Sequence, residues 1–513
     1  MRHVGPVGWV VILLGGSALA VGILLQPVVT TIVVLAMAGV GMLGRLPRWS
    51  PRVVFPAAVG GLLAGYALFG RAFAYLGVWP VFVGEVVLAT GFAAAVQGIG
   101  LTRVVRLPVT WFLLAFAFWG AVRTAPYVGT YGVNALRDAV LWGYGAFAVL
   151  VAASLLQTNL IPRVPHIYSR FVPLLLLWTP VGVVATYLLQ DALPQLPDRD
   201  STILVLANRT GDPAAHLAGA GAFLLLGLPG TVRTTGDRSS RLVEWGWWAA
   251  WVVGFLVTAS QNRGGLLAVG VAFLVAMSFR PSLRWLKAIV ILGLVAAVFW
   301  LLQLSPDLGR ERSIAPSQIV KNLMSLGGGG DQDPGGTIQW RLEWWRELAH
   351  DALHGDDFWL GKGYGINLAV EHWGGRISDE TATIRSPHNS HLTILARSGM
   401  PGFLLWMALQ CAFAVSLIRA YSRACRAGDQ GWAGVFVWVL AYWAAFMVHA
   451  NFSVFLESPQ GGIWFWSLMG FGMAAAAEQG SGHRQELPTH RLARSEGRRA
   501  SRSTFADSAG EGR

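Results

Sequence analysis

The side chains best suited to chemistry lie in one polar stretch in the C-terminal half of the chain. Between two apolar regions, residues 304–391 are rich in Trp, Arg and His and end in Arg385-Ser-Pro-His-Asn-Ser-His391. A helix predicted to start at Leu392 would place the imidazole of His388 at the mouth of a helix bundle. An imidazole with an ordinary pKa near 6.5 accepts a proton from a hydroxyl group near neutral pH. We predict His388 as a general base, with a structural histidine at a helix N-terminus as the alternative.

The neighbours of His388 are predicted as supporting residues. Arg385 and Asn389 flank it, and His391 is close enough along the chain to share its face. Two histidines at this spacing are conceivable metal ligands, but no nearby Asp, Glu or Cys completes a ligand set. We therefore predict neither a metal nor a cofactor.

Arginines at two other places are candidates for binding a phosphate group. Arg263, in Ser260-Gln-Asn-Arg-Gly-Gly265, falls at a short junction between apolar segments, where a cation is costly unless it has a partner. Arg341 and Arg346 are five residues apart, so they lie roughly 140° apart on a helix and only one faces a given ligand. We favour Arg341. The planar guanidinium grips phosphate oxygens through two parallel hydrogen bonds, although an arginine that merely reaches the lipid headgroups remains the alternative for Arg263.

One carboxylate lies close to this candidate chemistry. Glu85 falls just inside the predicted outer end of an apolar segment, and we expect it to pair with Arg71, Arg123 or Arg137. A structural role is favoured over a catalytic one.

Composition sets the fold class. The 513 residues are 54% hydrophobic and only 13% charged, with a mean hydropathy of +0.51. Many apolar stretches are long enough to cross a bilayer core of roughly 30 Å. The net charge of +12 could suggest a nucleic-acid partner, but the arginines fall in short loops and in the C-terminal tail, which is typical of membrane topology. We predict an all-α polytopic membrane protein in contact with membrane lipids and no nucleic acid.

The apolar segments predict about 12–14 transmembrane helices. The candidates are 8–25, 28–44, 52–69, 80–99, 108–122, 136–156, 168–190, 214–230, 243–259, 264–279, 284–303, 392–418, 432–450 and 461–477. With the N-terminus in the cytoplasm, every inward loop carries arginines and the outward loops carry fewer. This alternation predicts cytoplasmic termini and places residues 304–391 outside the cytoplasm.

The predicted membrane topology divides the chain into four regions. Residues 1–303 are an N-terminal transmembrane bundle, 304–391 a large extracytoplasmic loop with the candidate site, 392–477 the C-terminal transmembrane helices and 478–513 a disordered basic tail. In the loop, residues 327–336 are expected to be a flexible insert. Residues 340–353 predict an amphipathic helix on the outer membrane surface, and Trp340, Trp344 and Trp345 could instead make it a purely structural, membrane-anchored lid.

Several motifs together resemble the O-antigen ligase and O-antigen polymerase superfamily of bacterial envelope glycosyltransferases. The segment from Ser386 to Gly402 looks like the family's His-Asn, Leu and Gly-x-x-Gly signature. Asn262-Arg-Gly-Gly265, Arg341-Leu-Glu-Trp-Trp-Arg346 and Trp359-Leu-Gly-Lys-Gly-Tyr-Gly365 resemble further elements in the same order, and Tyr75 to Glu85 resembles an N-terminal one. Asn262 stands where the family usually has Ser, and Arg397 where an acidic residue is common; these departures bear on subgroup and acceptor.

The resemblance implies a GT-C-like fold and transfer of a glycan from an undecaprenyl-pyrophosphate carrier on the outer face of the bacterial cytoplasmic membrane. Arg263 and Arg341 would stabilise the pyrophosphate, His388 would deprotonate the acceptor hydroxyl and Asn389 would orient it, without metal and with inversion. The acceptor would be another lipid-linked repeat for a polymerase, or a lipid core, glycan or protein for a ligase, and the residues do not separate these. A flippase for lipid-linked oligosaccharides is the alternative, although paired inverted halves would be more typical of a transporter.

Overall fold

The computed structural model describes most of the chain from Pro51 to Gly480. The described residues are 51–78, 81–96, 100–158, 160–196, 203–208, 211–229, 238–302, 316–326, 337–373 and 384–480. The predicted spans 8–25 and 28–44, the glycine-rich insert 327–336 and the tail beyond residue 480 lie outside them.

The described residues form α-helices joined by short connections. The helices are α1 (Pro51–Phe69), α2 (Val83–Val96), α3 (Leu101–Val105), α4 (Pro108–Tyr131), α5 (Val133–Gly143), α6 (Gly145–Thr158), α7 (Arg163–Leu188), α8 (Ala214–Leu225), α9 (Arg238–Gln261), α10 (Arg263–Phe279), α11 (Trp285–Leu301), α12 (Pro316–Leu326), α13 (Thr337–His354), α14 (Leu368–Trp373), α15 (Ser390–Arg426), α16 (Gln430–His449) and α17 (Pro459–Gly480).

Short elements complete the description. Arg71–Tyr75 and Phe455–Glu457 form 3-10 helices. Two antiparallel pairs of two-residue strands join β1 (Gly77–Val78) to β2 (Val81–Phe82) and β3 (Gln195–Leu196) to β4 (Ile203–Leu204). These short strand pairs lie in the connections between helices, so the architecture of the described residues is helical.

The all-α polytopic fold predicted from hydropathy is confirmed. Among the described residues, α4, α7, α15, α16 and Leu242–Ser260 within α9 are long and apolar enough to span a membrane. Helices α5 and α6 together pass the same test as one span bent by 43°. Shorter apolar helices occupy α2, α8, α10, α11 and residues 54–69 of α1. Each predicted span from residue 52 onward overlaps a described helix, and the span predicted over 136–156 overlaps the bent pair α5 and α6. The total number of spans stays a prediction.

The centre of the bundle is built from helices that are apolar on every side. In α16, 83% of an 18-residue apolar stretch is buried inside the protein, as expected for a helix that is surrounded by other helices. Its Trp438 and Tyr442 pack against Tyr168 and Phe223. A Cβ added at Gly219 of α8 would lie 2.5 Å from the ring of Tyr442, so this glycine permits the close approach of α8 and α16.

A kink in α15 creates the attachment point of the large loop. Gly399 interrupts the helix with φ 65° and ψ −174°, and Pro401 has no N–H to donate to Arg397. The carbonyl groups of Ala396 and Arg397 instead accept the N–H groups of Lys362 and Gly363, at 2.7 and 3.0 Å. The backbone of the 360s loop therefore replaces helix hydrogen bonds that the kink breaks.

The loop helix α13 packs on the first turns of α15. Trp344 is 1% exposed and contributes to a cluster with Leu348, Leu392 and Leu395. The helix predicted over 340–353 is therefore present, and its Trp344 ring packs inside the protein; whether the helix is a purely structural lid stays a prediction. Trp359, with 68% of its surface exposed, is the large aromatic of this region that faces outward.

Candidate active site

The segment before α15 is shaped as a helix start. The side chain of Asn389 accepts hydrogen bonds from the N–H groups of His391 and Leu392, both at 3.1 Å, so Asn389 is the N-cap. The helix begins at Ser390, two residues before the predicted start. Asn389 therefore orders the backbone, and its proposed contact with an acceptor stays a prediction.

His388 occupies an unusual backbone conformation beside this cap. Its φ of 56° is the single positive value of a non-glycine residue among the described residues. The left-handed region is unfavourable for a residue with a Cβ and persists where surrounding contacts enforce it. Contacts of the surrounding residues therefore hold the His388 backbone in a conformation that it would rarely adopt by itself.

The surroundings of His388 favour its neutral form. The side chain is half-buried, and its pKa is lowered to about 4, first by burial and then by the positive charges of Arg341 and Arg71. A histidine with a lowered pKa is deprotonated throughout the neutral range, as a proton acceptor must be.

The two arginines of α13 point in different directions. Arg341 is half-buried, its guanidinium lies 5.5 Å from the centre of the Trp340 ring, and burial lowers its pKa. Arg346 is exposed. The two side chains therefore differ in burial, and Arg341 is the one whose charge lowers the pKa of His388. Trp345 ties the same helix to the site by donating from its indole nitrogen to the Pro387 carbonyl at 2.7 Å.

A second cation near His388, Arg71, was not predicted as a site residue. It lies in the 3-10 helix after α1, and its guanidinium binds the carboxylate of Asp212 through Nε and Nη2, both at 2.9 Å at their shortest. Asp212 is almost completely buried. Arg71 and Asp212 are 141 positions apart, so no local sequence pattern could have revealed the pair.

Two of the three arginines that we expected to pair with Glu85 bind other groups. Arg71 binds Asp212, and Arg123 donates to the carbonyl groups of Leu360 and Gly361. Glu85 instead accepts a hydrogen bond from the Tyr144 hydroxyl at 2.7 Å and from the N–H of Phe82 at 3.2 Å. These contacts fix the start of α2, which fits the structural role that we favoured.

Arg263 lies at the junction of α9 and α10. The N-cap Asn262 accepts the N–H of Gly265 at 3.0 Å, and Asn322 of α12 donates to the carbonyl groups of Ala259 and Ser260 at 2.8 and 2.9 Å. Arg263 itself is half-buried. Its assignment as a pyrophosphate ligand stays a prediction.

Arg385 serves the architecture of the loop. Its Nη2 donates to the Gly365 carbonyl at 2.9 Å and to Asp138 of α5 at 3.3 Å. Arg397, 1% exposed, reaches the same Asp138 oxygen at 3.0 Å and also donates to the carbonyl groups of Gly363 and Ile366. Asp138 thus joins two arginines that fasten the loop to the bundle.

His391 does not share the face of His388. Its Nδ1 accepts a hydrogen bond from the indole of Trp406 at 3.0 Å, so its Nε2 carries the proton and donates to the Met447 carbonyl at 2.9 Å. Both ring nitrogens are used inside the bundle, which makes His391 structural. No group of three or more His, Cys, Asp or Glu side chains in the described part of the chain is arranged to hold a metal ion.

Comparison with known families adds a second line of observation. Residues 248–407 match the model of a family described as O-antigen ligase. This match supports the resemblance to the O-antigen ligase and O-antigen polymerase superfamily that the sequence motifs indicated. None of the curated proteins compared with the chain matches it.

The O-antigen ligase segment contains most of the candidate site. It extends from the middle of α9 past the kink of α15, and so includes Arg263, Arg341 and His388. The match and the apolar helices support a multi-pass protein of the bacterial inner membrane with an O-antigen ligase or polymerase type of function, and the matched family implies lipid-linked glycan substrates.

Residues outside the matched O-antigen ligase segment also build the site. Arg71, Asp138 and Asp212 precede it, and Glu457 follows it. Glu457 accepts hydrogen bonds from the hydroxyls of Ser390 and Thr393, at 3.2 and 3.1 Å. Sequence reasoning missed it because a single Glu in a short connection between apolar segments has no distinguishing neighbours.

Proposed function

We propose that this protein is a metal-independent, inverting glycosyltransferase that moves a glycan from an undecaprenyl-pyrophosphate carrier to an acceptor hydroxyl. The observation that carries the proposal is the pairing of a half-buried imidazole, His388, whose pKa is lowered to about 4, with the guanidinium of Arg341 on a helix docked beside it. A proton acceptor and a phosphate-binding cation are the two groups that this transfer requires.

The reaction balances without a cofactor. The acceptor hydroxyl gives its proton to His388 as its oxygen forms a bond to the anomeric carbon of the donor glycan. The bond between that carbon and the pyrophosphate oxygen breaks, and the pyrophosphate leaves with the bonding electrons. Attack from the side opposite the leaving group inverts the anomeric centre. The proton on His388 then returns to solvent or to the departing pyrophosphate.

Fixed positive charge stabilises the leaving group. The pyrophosphate gains negative charge as the glycosidic bond breaks, and a cation already held in place near that charge lowers the barrier without reorganisation. Arg341, half-buried beside His388, and Arg263, at the start of α10, are the proposed ligands. Arg71, fixed by Asp212, adds positive charge on the His388 side. Arg346, exposed on α13, is assigned no contact with the donor.

The positive-inside pattern supports a site facing away from the cytoplasm with both termini inside it. The same pattern supports the division of the chain at residues 303, 391 and 477. A carrier-linked donor suits this side of the membrane, since no nucleotide sugar is needed there. The acceptor class, lipid-linked repeat or ligation target, is left open.

The experiment that tests the base compares glycan transfer by the purified protein and by His388→Ala, with His350→Ala as the control. His350 is a histidine on the loop helix α13, with 74% of its side chain exposed. We expect His388→Ala to lose at least about 100-fold in kcat, in keeping with the usual contribution of general base catalysis, and His350→Ala to keep full activity. Near-normal turnover by correctly inserted His388→Ala would remove His388 from the mechanism.

A further inference from the structure

The segment around His388 is fastened on both sides of the imidazole. Before it, Arg385 is bound to Asp138 and to the Gly365 carbonyl, and the Pro387 carbonyl accepts the Trp345 indole N–H. After it, the N–H of Ser390 donates to the Ala450 carbonyl at 2.8 Å. His388 itself is thus the one point of this short segment where the backbone turns through the left-handed region.

The carboxylate of Glu457 binds side chains close to His388 along the chain. Oε1 of Glu457 accepts from the hydroxyls of Ser390 and Thr393 after His388, and the Ser386 hydroxyl before it lies near enough to lower the pKa of Glu457 by favouring its charged form. All three serine and threonine residues are buried, with Ser390 and Thr393 at 0% exposure. An ionised carboxylate only accepts, so the hydroxyls of Ser390 and Thr393 are the donors of these bonds; the carbonyl groups of Ser453 and Asn389 are second acceptors for them, at 3.4 and 3.0 Å.

The left-handed backbone makes such fastening necessary. A non-glycine residue in this region stays there only when neighbouring contacts fix the residues on either side of it. Ser386 and Ser390 are the residues two before and two after His388. Ser390 donates to Glu457, and the Ser386 hydroxyl lowers the pKa of the same carboxylate by favouring its charged form. Glu457, from a separate 3-10 helix, therefore interacts with the chain on both sides of the histidine.

We propose that Glu457 is a positioning residue for His388, holding the histidine in the strained backbone conformation that directs its imidazole to the acceptor hydroxyl. The inference rests on the proposed function, because it presumes that His388 is the base. In this proposal Glu457 does not touch the substrate; it acts through the hydroxyls of Ser390 and Thr393. Its environment fits an anchoring group, since burial raises the pKa of Glu457 while Arg397 and the hydroxyl donors favour its charged form.

The test is a double-mutant cycle on glycan transfer. In the wild-type background, Glu457→Ala should lower kcat by about 100-fold with little change in KM, because a misplacement of about 1 Å at a reacting group has an effect of that size. Glu457→Gln keeps one acceptor oxygen and should lose less. In the His388→Ala background, adding Glu457→Ala should leave the residual rate, measured over long incubations, unchanged.

A second readout does not depend on activity. In the wild-type background, Glu457→Ala should increase the rate at which diethyl pyrocarbonate acylates His388, because the segment around the histidine is held less firmly. Mass spectrometry measures this rate. Glu244→Ala, which removes a carboxylate paired with Arg284 and Lys287, is the control and should change neither readout.

The outcomes separate the two proposals. Full kcat in Glu457→Ala, or an equal loss with and without His388, overturns the positioning role while leaving the transferase intact. Unchanged acylation of His388 in Glu457→Ala overturns it as well. Full activity of His388→Ala overturns the base assignment, and the positioning role with it.

Discussion

The charge of Arg341 should be visible in the pH dependence of transfer. The structure lowers the pKa of His388 from 6.5 to about 4 through burial, Arg341 and Arg71, in that order of size. The whole decrease is about 2.5 pH units. Because burial is the largest cause, Arg341 accounts for at most half of it, which is about 1.2 pH units.

Arg341→Gln removes this charge while keeping a polar side chain of similar reach. Neutral His388 is the active form, so activity is present above its pKa and is lost as the pH falls through it. The acid limb of kcat/KM, which reports the free enzyme, should therefore move to higher pH in the variant, by no more than about 1.2 units. The maximal rate should also fall, because the same guanidinium is proposed to bind the pyrophosphate.

The assay is a profile of kcat/KM between pH 3.5 and 8 for the wild type, Arg341→Gln and Arg346→Gln. Arg346 is exposed on the same helix, so its variant controls for the loss of one positive charge from α13. An acid limb that stays in place in Arg341→Gln, or that moves equally in Arg346→Gln, would refute the assignment of Arg341 as the cation that faces His388.

Two further substitutions probe the loop and the phosphate ligand. Gly361→Ala should lower the melting temperature, since a left-handed alanine costs about 1–2 kcal/mol and its Cβ would lie 2.5 Å from the Gly399 nitrogen; Gly60→Ala, in open space, is the thermal-unfolding control. Arg263→Lys should lose at least about tenfold in kcat/KM, equivalent to about 1.4 kcal/mol, because an ammonium cannot form the two parallel bonds of a guanidinium. Full activity of the lysine variant in a steady-state assay would show that Arg263 does not grip the pyrophosphate.

Features with a local cause were predictable from the sequence. Hydropathy located the helices from residue 52 onward, because a bilayer requires long apolar segments whose backbone groups bond internally. Helical periodicity separated Arg341 from Arg346. The helix that follows His388 was recognisable within two residues, since Asn is a favoured N-cap.

Features that depend on distant residues were not predictable. Asp138 binds Arg385 across 247 positions, and Glu457 meets Ser390 across 67. Helix packing brings these partners together, and an isolated acidic residue gives no sign of which arginine or hydroxyl it will meet. The same limit explains why His391 was expected beside His388, although its ring turns toward Trp406 inside the bundle.

The central claim is cleavage of a carrier pyrophosphate bond, and it has one direct measurement. Purified protein in nanodiscs, with EDTA, is given a polyprenyl-pyrophosphate oligosaccharide and candidate acceptors, and both the joined glycan and the released polyprenyl pyrophosphate are quantified. The account predicts the two products in equal amounts, with inverted anomeric configuration. Intact donor that crosses a liposome membrane, with no joined glycan for any acceptor, would contradict the transferase and favour a flippase.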